Sequence, residues 1–257
     1  MNNVTLVQLD IVWENKAANF DRVRSLLSDS PPKPGSLIVL AEMFATGFSL
    51  NVAVTRDGEP ARTEAFLAEV ARQYQSTVVA GLVASNASGQ SQNESIAVAP
   101  SGKRIACYAK IHPFSKGGES ACHTPGSEIV TFDWNGFTVA PFVCYDLRFP
   151  EIFRAAVRKG ANLFVVIADW PAKRQQHWLT LLQARAIENL AYVVGVNQVG
   201  KDPQFTYAGR SVVVDPHGII LADAGETERL VQATIELETV TRWREEFPPL
   251  RDMHWSE

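Results

Sequence analysis

Several stretches of the chain are apolar without a polar break, and others repeat apolar residues at helical spacing. VTLVQLDIV (4–12) reads as a strand. Residues 15–28 place Ala18, Val23, Leu26 and Leu27 close to a helical period, and the breaker PPKPG (31–35) follows. SLIVLAEMF (36–44) starts as a continuous apolar run, the signature of a parallel strand covered on both faces. The pattern then predicts a helix over 63–73 and a strand over 77–84. A hairpin over 95–110 turns at Pro100-Ser101-Gly102. Residues 111–128, with Pro, Gly and Ser, read as a long loop, and 129–144 as a hairpin turning at Asn135-Gly136. Helix 150–159, strand 162–170, helix 175–190, strand 191–199, a hairpin over 211–224 and a strand over 230–237 come next. A short helix and the tail EEFPPLRDMHWSE end the chain.

The two halves repeat. SLIVLAEMF matches NLFVVIADW, and helix 63–73 with TVVAGLV matches helix 175–190 with YVVGVNQ. The hairpin IAVAPSGKRIA matches VVVDPHGIILA. A duplicated pair of mixed sheets, packed face to face with helices outside, satisfies this order. No linker separates the halves, so residues 1–257 are expected to form one α/β domain.

Bulk properties narrow the function classes. With 46% hydrophobic and 20% charged residues the chain has the balance of a globular protein. The net charge of −4, without a basic block, argues against a nucleic-acid partner, and scattered Lys and Arg argue against a membrane-surface patch. No apolar run reaches the ~18 residues of a membrane span. The N-terminus does not read as a signal peptide. Cys107, Cys122 and Cys144 are an odd, small set, as expected of free thiols in a reducing, cytoplasmic compartment.

The chemistry sits where the apolar strands stop. SLIVLA ends at Glu42, RIACYA at Lys110 and FTVAPFV at Cys144. Ligands of α/β sheets bind beyond the carboxyl ends of strands, so an acid, a cation and a thiol there form a set if the ends converge. A free thiol is only about 3% ionised at pH 7 and needs a base. Glu42 supplies one, and Lys110 can stabilise the oxyanion of an attacked carbonyl or nitrile. In PFVCYDLRFPE (141–151) the strand passes into a helix start, where backbone N–H groups lack partners; that of Tyr145 is a second candidate donor. A rival Cys-His-Asp arrangement would need His177 or His217 to reach Cys144, and neither stands at a strand's carboxyl end. Cys107, His112, Cys122 and His123 follow no common zinc spacing, so no metal is expected; His112 is placed near Lys110 and His123 in the loop.

LAEMFATGF around Glu42, YAKIHPF around Lys110 and PFVCYDLRFPE around Cys144 stand in an order that resembles the nitrilase, or carbon–nitrogen hydrolase, superfamily over nearly the whole chain. The resemblance implies a four-layer αββα sandwich that dimerises through helices, a Glu42–Lys110–Cys144 triad, no cofactor, and a second glutamate after the lysine. Glu119 is the only acid between Lys110 and Gly126, and takes that role. CYDLRFPE and EEFPPLRD resemble the omega-amidase branch, whose substrates are short dicarboxylic acid monoamides such as 2-oxoglutaramate and 2-oxosuccinamate. Such a small-molecule amide carries a carboxylate, which Arg148 can hold unless it pairs locally with Asp146 or Glu151. Trp170 stands either as a wall of the acyl pocket or as core. Asp169 occupies the second-half position of Glu42, as a relic of duplication or a structural acid. An aliphatic amidase, carbamoylase or nitrilase branch, and a binding protein without activity, are the alternatives. The tail FPPLRDMHW suits packing across a homodimer or higher homo-oligomer.

Overall fold

The computed structural model describes residues 1–58 and 61–253. The first half runs β1 (Asn2–Gln8), α1 (Lys16–Asp29), β2 (Leu37–Leu40), a single helical turn α2 (Val52–Thr55), α3 (Arg62–Gln73), β3 (Thr77–Ser85), β4 (Ser91–Val98) and β5 (Arg104–Ala109). The second runs β6 (Phe132–Trp134), β7 (Phe137–Val143), α4 (Pro150–Arg158), β8 (Leu163–Ala168), α5 (Gln175–Asn189) and β9 (Tyr192–Asn197). A small hairpin of β10 (Val199–Lys201) and β11 (Thr206–Ala208) precedes β12 (Val212–Val214), β13 (Ile220–Asp223), β14 (Arg229–Ile235) and α5's successor α6 (Leu237–Glu246).

Two six-stranded mixed sheets result, ordered β14-β1-β2-β3-β4-β5 and β13-β12-β9-β8-β7-β6. In the first, β1, β2 and β3 are parallel while β14, β4 and β5 add antiparallel. In the second, β7, β8 and β9 are parallel while β6, β12 and β13 add antiparallel. The duplication is thus strand for strand, except that β6 precedes its parallel trio and β14 closes the chain. The sheets pack face to face through β2 against β8 and β9, and β4 against β7, with helices on the outer faces, making the expected αββα sandwich.

Continuous burial explains the apolar runs. Every residue of β2 (LIVL), β8 (LFVVIA) and β9 (YVVGVN) is buried, because one face meets the opposite sheet and the other a helix. Asn15 caps α1 by accepting from the Ala18 N–H at 3.1 Å. The β10–β11 hairpin was not legible: VGKDPQFTYA has no alternation, and its pairing is tied instead to the end of β8 by a bridge between Pro171 and Tyr207. In the expected dimer segment FPPLRDMHW, Pro249–Asp252 form a 3-10 turn; His254 and Trp255 lie outside the described residues.

Gly81 on β3 shows how tightly the strands hold the turn after β2. A Cβ there would stand 2.6 Å from Glu42 Cα and 2.6 Å from the Met43 nitrogen. Both are backbone atoms and cannot swing aside. Gly81→Ala is therefore expected to cost about 1–3 kcal/mol of stability through overpacking. A melting temperature unchanged from wild type would contradict this.

Candidate active site

The strand ends converge. Glu42 lies two residues past β2, Lys110 one past β5, and Cys144 directly past β7. The Lys110 ammonium is 2.8 Å from Glu42 Oε1 and 2.8 Å from Glu119 Oε2. All three groups are buried. Asn93, in mid-β4, donates through Nδ2 to Glu42 Oε1 at 2.7 Å and to Glu119 Oε1 at 2.8 Å, clamping the two carboxylates. Glu119 also accepts the Phe114 N–H at 2.5 Å, which fixes the loop containing it. Glu42 Oε2 accepts the Asp169 N–H at 2.9 Å, so the first sheet's acid is held by the second sheet's strand end. Two of the three Lys110 N–H directions are taken by carboxylates, which leaves one for the cavity.

The turn at Cys144 differs from the expected helix start. Cys144 has φ 48°, in the left-handed region that disfavours a side chain. Residues Cys144–Arg148 form a 3-10 turn, and α4 begins only at Pro150. The first N–H groups of such a turn have no acceptor within it, and Tyr145 is second in line. Buried Asp146 holds the turn. It accepts the Val143 N–H at 3.1 Å and the Tyr108 hydroxyl at 2.8 Å on Oδ2, and the His112 N–H at 3.0 Å on Oδ1. Asp146 is thus fully engaged and does not pair with Arg148. Such conformations persist where surrounding contacts over-determine them, and they cluster at functional sites.

Charge follows from this packing. Burial pulls the Lys110 ammonium down, but Glu42 and Glu119 outweigh it and hold its pKa well above that of a free lysine. For Glu119, burial pushes up, but Lys110 and the bonds from Phe114 and Asn93 win, and the carboxyl stays below its ordinary value. Burial, then the Glu42 charge, raises the Cys144 thiol well above an ordinary cysteine. The resting site is therefore a neutral thiol beside an acid–lysine–acid cluster, and attack requires a base.

Cys144, Lys110 and Asp169 open onto a cavity of about 250 Å³. That is at the small end for ligand clefts, which run upward from about 300 Å³. Phe48, Phe114, Trp170 and Phe205 make its aromatic walls. Trp170 is both wall and core: it is buried, its Nε1 donates to the Arg174 carbonyl at 2.9 Å, and its ring faces the cavity. Arg148 reaches the cavity with its guanidinium 4.9 Å from the Trp170 ring centre, and it donates to His177 Nδ1 at 3.3 Å. Lys116 and Arg174 join it at the rim.

Sequence reasoning missed several of these groups. Asn93 falls before the predicted hairpin, because QSQNES reads as loop. Lys116 and Arg174 were not singled out by the pattern, although they follow closely on Lys110 and Trp170 in sequence. His123 is corrected: far from riding a loose loop, it is buried, with Nδ1 2.9 Å from Ser91 Oγ. His112, two residues past Lys110, stacks on Phe149, ring centres 3.7 Å apart, with Nδ1 2.8 Å from Asp146. Cys107 is a structural thiol, donating to Glu94 at 3.2 Å.

The same architecture occurs in known proteins. The chain is 38% identical over 255 residues to the omega-amidase YafV of Yersinia enterocolitica, covering 97% of this chain and 95% of that one. It is 32% identical over 251 residues to the 2-oxoglutaramate amidase of Bacillus subtilis, covering 97% and 96%. The crystal structure of a CN-hydrolase superfamily protein from Xanthomonas campestris, with an arsenic adduct in its active site, superposes with TM-score 0.93 at 31% identity, over 100% of this chain and 98% of that one. The family model for carbon-nitrogen hydrolases matches residues 3–245. The chain belongs to the carbon-nitrogen hydrolase family.

Proposed function

We propose that the chain is a cysteine-dependent omega-amidase, releasing ammonia from the terminal amide of short dicarboxylic acid monoamides such as 2-oxoglutaramate and 2-oxosuccinamate. The observation that carries this is a buried thiol sharing a small cavity with a lysine clamped by two carboxylates, the cavity being rimmed by Arg148, Lys116 and Arg174. The names of the relatives support the same substrate class.

The geometry gives each residue a part. Cys144 Sγ attacks the amide carbon as its proton passes to Glu42. Lys110 and the Tyr145 N–H hold the tetrahedral oxyanion. Glu42 returns the proton to nitrogen, the C–N bond breaks, and ammonia leaves a thioester on Cys144. Water then attacks the thioester carbon, losing its proton to Glu42. The C–S bond breaks, and Glu42 reprotonates the sulfur. Glu119 keeps Lys110 charged and aimed. The aromatic walls enclose the acyl chain, with Trp170 supporting Arg148, whose guanidinium meets the far carboxylate. No step calls on a metal or organic cofactor. Three free thiols suit a cytoplasmic setting.

Ammonia release from 2-oxoglutaramate, compared with a neutral aliphatic amide of similar length, tests the assignment. An aliphatic amide, carbamoyl compound or nitrile turned over in preference would place the chain in another branch; no turnover of any would favour a binding role. Arg148→Ala is expected to lower kcat/KM for 2-oxoglutaramate about tenfold to a hundredfold, the worth of a charge-assisted hydrogen bond. Activity on the neutral amide should change far less. Equal losses on both would move the carboxylate away from Arg148, toward Lys116 or Arg174.

A further inference from the structure

The mechanism above leaves one buried acid unused. Asp169 follows directly on β8 and is 5% exposed, and it lines the cavity. Both of its carboxyl oxygens are buried and without a hydrogen-bond partner. Gln198 Nε2, equally buried and without a well-aligned hydrogen bond, stands close enough to favour the ionised Asp169 carboxyl weakly. Buried polar atoms are almost always satisfied, and an exception calls for a missing partner. Asp169 lines the cavity, so a small turn of its carboxyl toward that space would bring an oxygen to a small polar molecule there.

The backbone says which molecule. Lys110 and Asn93 occupy Glu42 Oε1, whereas Oε2 receives the Asp169 N–H, and the Cys144 thiol lies within hydrogen-bond reach of the same carboxylate. Oε2 is thus the oxygen left to exchange protons with thiol, departing nitrogen and water. Any atom bonded to it sits next to the Asp169 side chain. We infer that Asp169 is the positioning residue of a nucleophile subsite, in which its carboxyl accepts a hydrogen bond first from the departing nitrogen and then from the water that replaces it.

The surroundings fit. Glu42, Asp202 and the Tyr207 hydroxyl, which donates to Asp202 at 2.6 Å, face Asp169 from one side, with Lys110, Cys144 and Gln198 completing the shell. Burial, with Glu42 and then Asp202, pushes the Asp169 carboxyl well above the carboxylate range. A neutral carboxyl still accepts through its carbonyl oxygen, and it does not pull the water's proton away from Glu42. With one water hydrogen on Glu42 and the other on Asp169, a lone pair is left for the thioester carbon.

The inference rests on the amidase reading, and partitioning separates the two. A thioester on Cys144 is attacked either by water, giving the acid, or by added hydroxylamine, giving the hydroxamate; in both, the attacking group loses one proton and the sulfur leaves. The ratio of the products is independent of how much protein is folded. Hydroxylamine is the stronger nucleophile and depends less on being held. Asp169→Ala is expected to raise the hydroxamate-to-acid ratio from 2-oxoglutaramate about tenfold, the worth of one hydrogen bond to the positioned water. Asp169→Asn keeps an acceptor and should restore the ratio to near wild type. An active Asp169→Ala protein with the wild-type ratio would overturn the subsite. A wild-type protein that yields neither product from any amide would overturn the amidase reading, and the subsite with it.

Discussion

Cys144→Ala is expected to abolish ammonia release, lowering kcat by about 10⁴-fold or more, as when the nucleophile of a catalytic unit is removed. Among the described residues, Cys144 is the one cysteine lining this cavity, and Cys122 lines a separate cleft. Cys107 is bonded to Glu94 in mid-β5, and burial with that carboxylate pushes it up to about 12. A companion substitution separates the thiol's state from its function. Because Glu42 helps hold the Cys144 thiol protonated, Glu42→Gln should lower that thiol's pKa while leaving Lys110 nearby. More thiolate is then present at pH 7, so alkylation by iodoacetamide should speed up. Amide hydrolysis should instead fall by about 10²–10⁴-fold for want of a general base. The two rates moving in opposite directions is the signature of a base acting on a neutral thiol. Alkylation slowed in step with hydrolysis would mean that the Glu42 charge is not what keeps the thiol protonated.

These three residues were legible in the sequence for a physical reason. Strands buried on both faces tolerate no polar side chain, so the first acid, cation or thiol after such a run marks the sheet's carboxyl edge. The duplication was legible for the same reason, since β2 and β8 carry matching uninterrupted runs. What the pattern hid was polarity inside the fold. Asn93 and Glu94 are buried within β4, where a polar stretch reads as loop; Asn93 faces the carboxylates it clamps, while Glu94 on the other face accepts from Cys107. The left-handed Cys144 has no local signal either, because its strain is held by Asp146 through contacts with Tyr108 and His112, thirty and more residues away in sequence. Asp169 was legible as the counterpart of Glu42, but its unpaired oxygens were not, since satisfaction depends on what the other half of the chain brings near.

Lys110→Ala is expected to cost about 10²–10³ in kcat through loss of an oxyanion donor, and its larger consequence is a pH dependence of stability that the wild type lacks. The lysine is the sole cation hydrogen-bonded to Glu42 and Glu119 among the described residues, and removing one member of a buried ionic group costs about 3–5 kcal/mol. In the wild type, Glu119 has a depressed folded pKa. Its contribution is fully present above the unfolded value of about 4.3 and is lost as pH falls through the folded one. Lys110 has a raised folded pKa, so its contribution is fully present below about 10.4 and is lost as pH rises through the folded value. Between those limits the cluster makes stability nearly flat. Without Lys110, Asn93 is left tying two buried carboxylates together, and their repulsion favours a proton on one of them. That group's folded pKa then lies above its unfolded one, so the variant should lose stability as pH rises from about 5 toward 8, where the wild type does not. Urea midpoints measured across this range decide the matter. A variant curve parallel to the wild type's would mean that Lys110 is not what keeps the Glu119 carboxyl ionised, and Glu119 would lose its part in keeping the lysine charged.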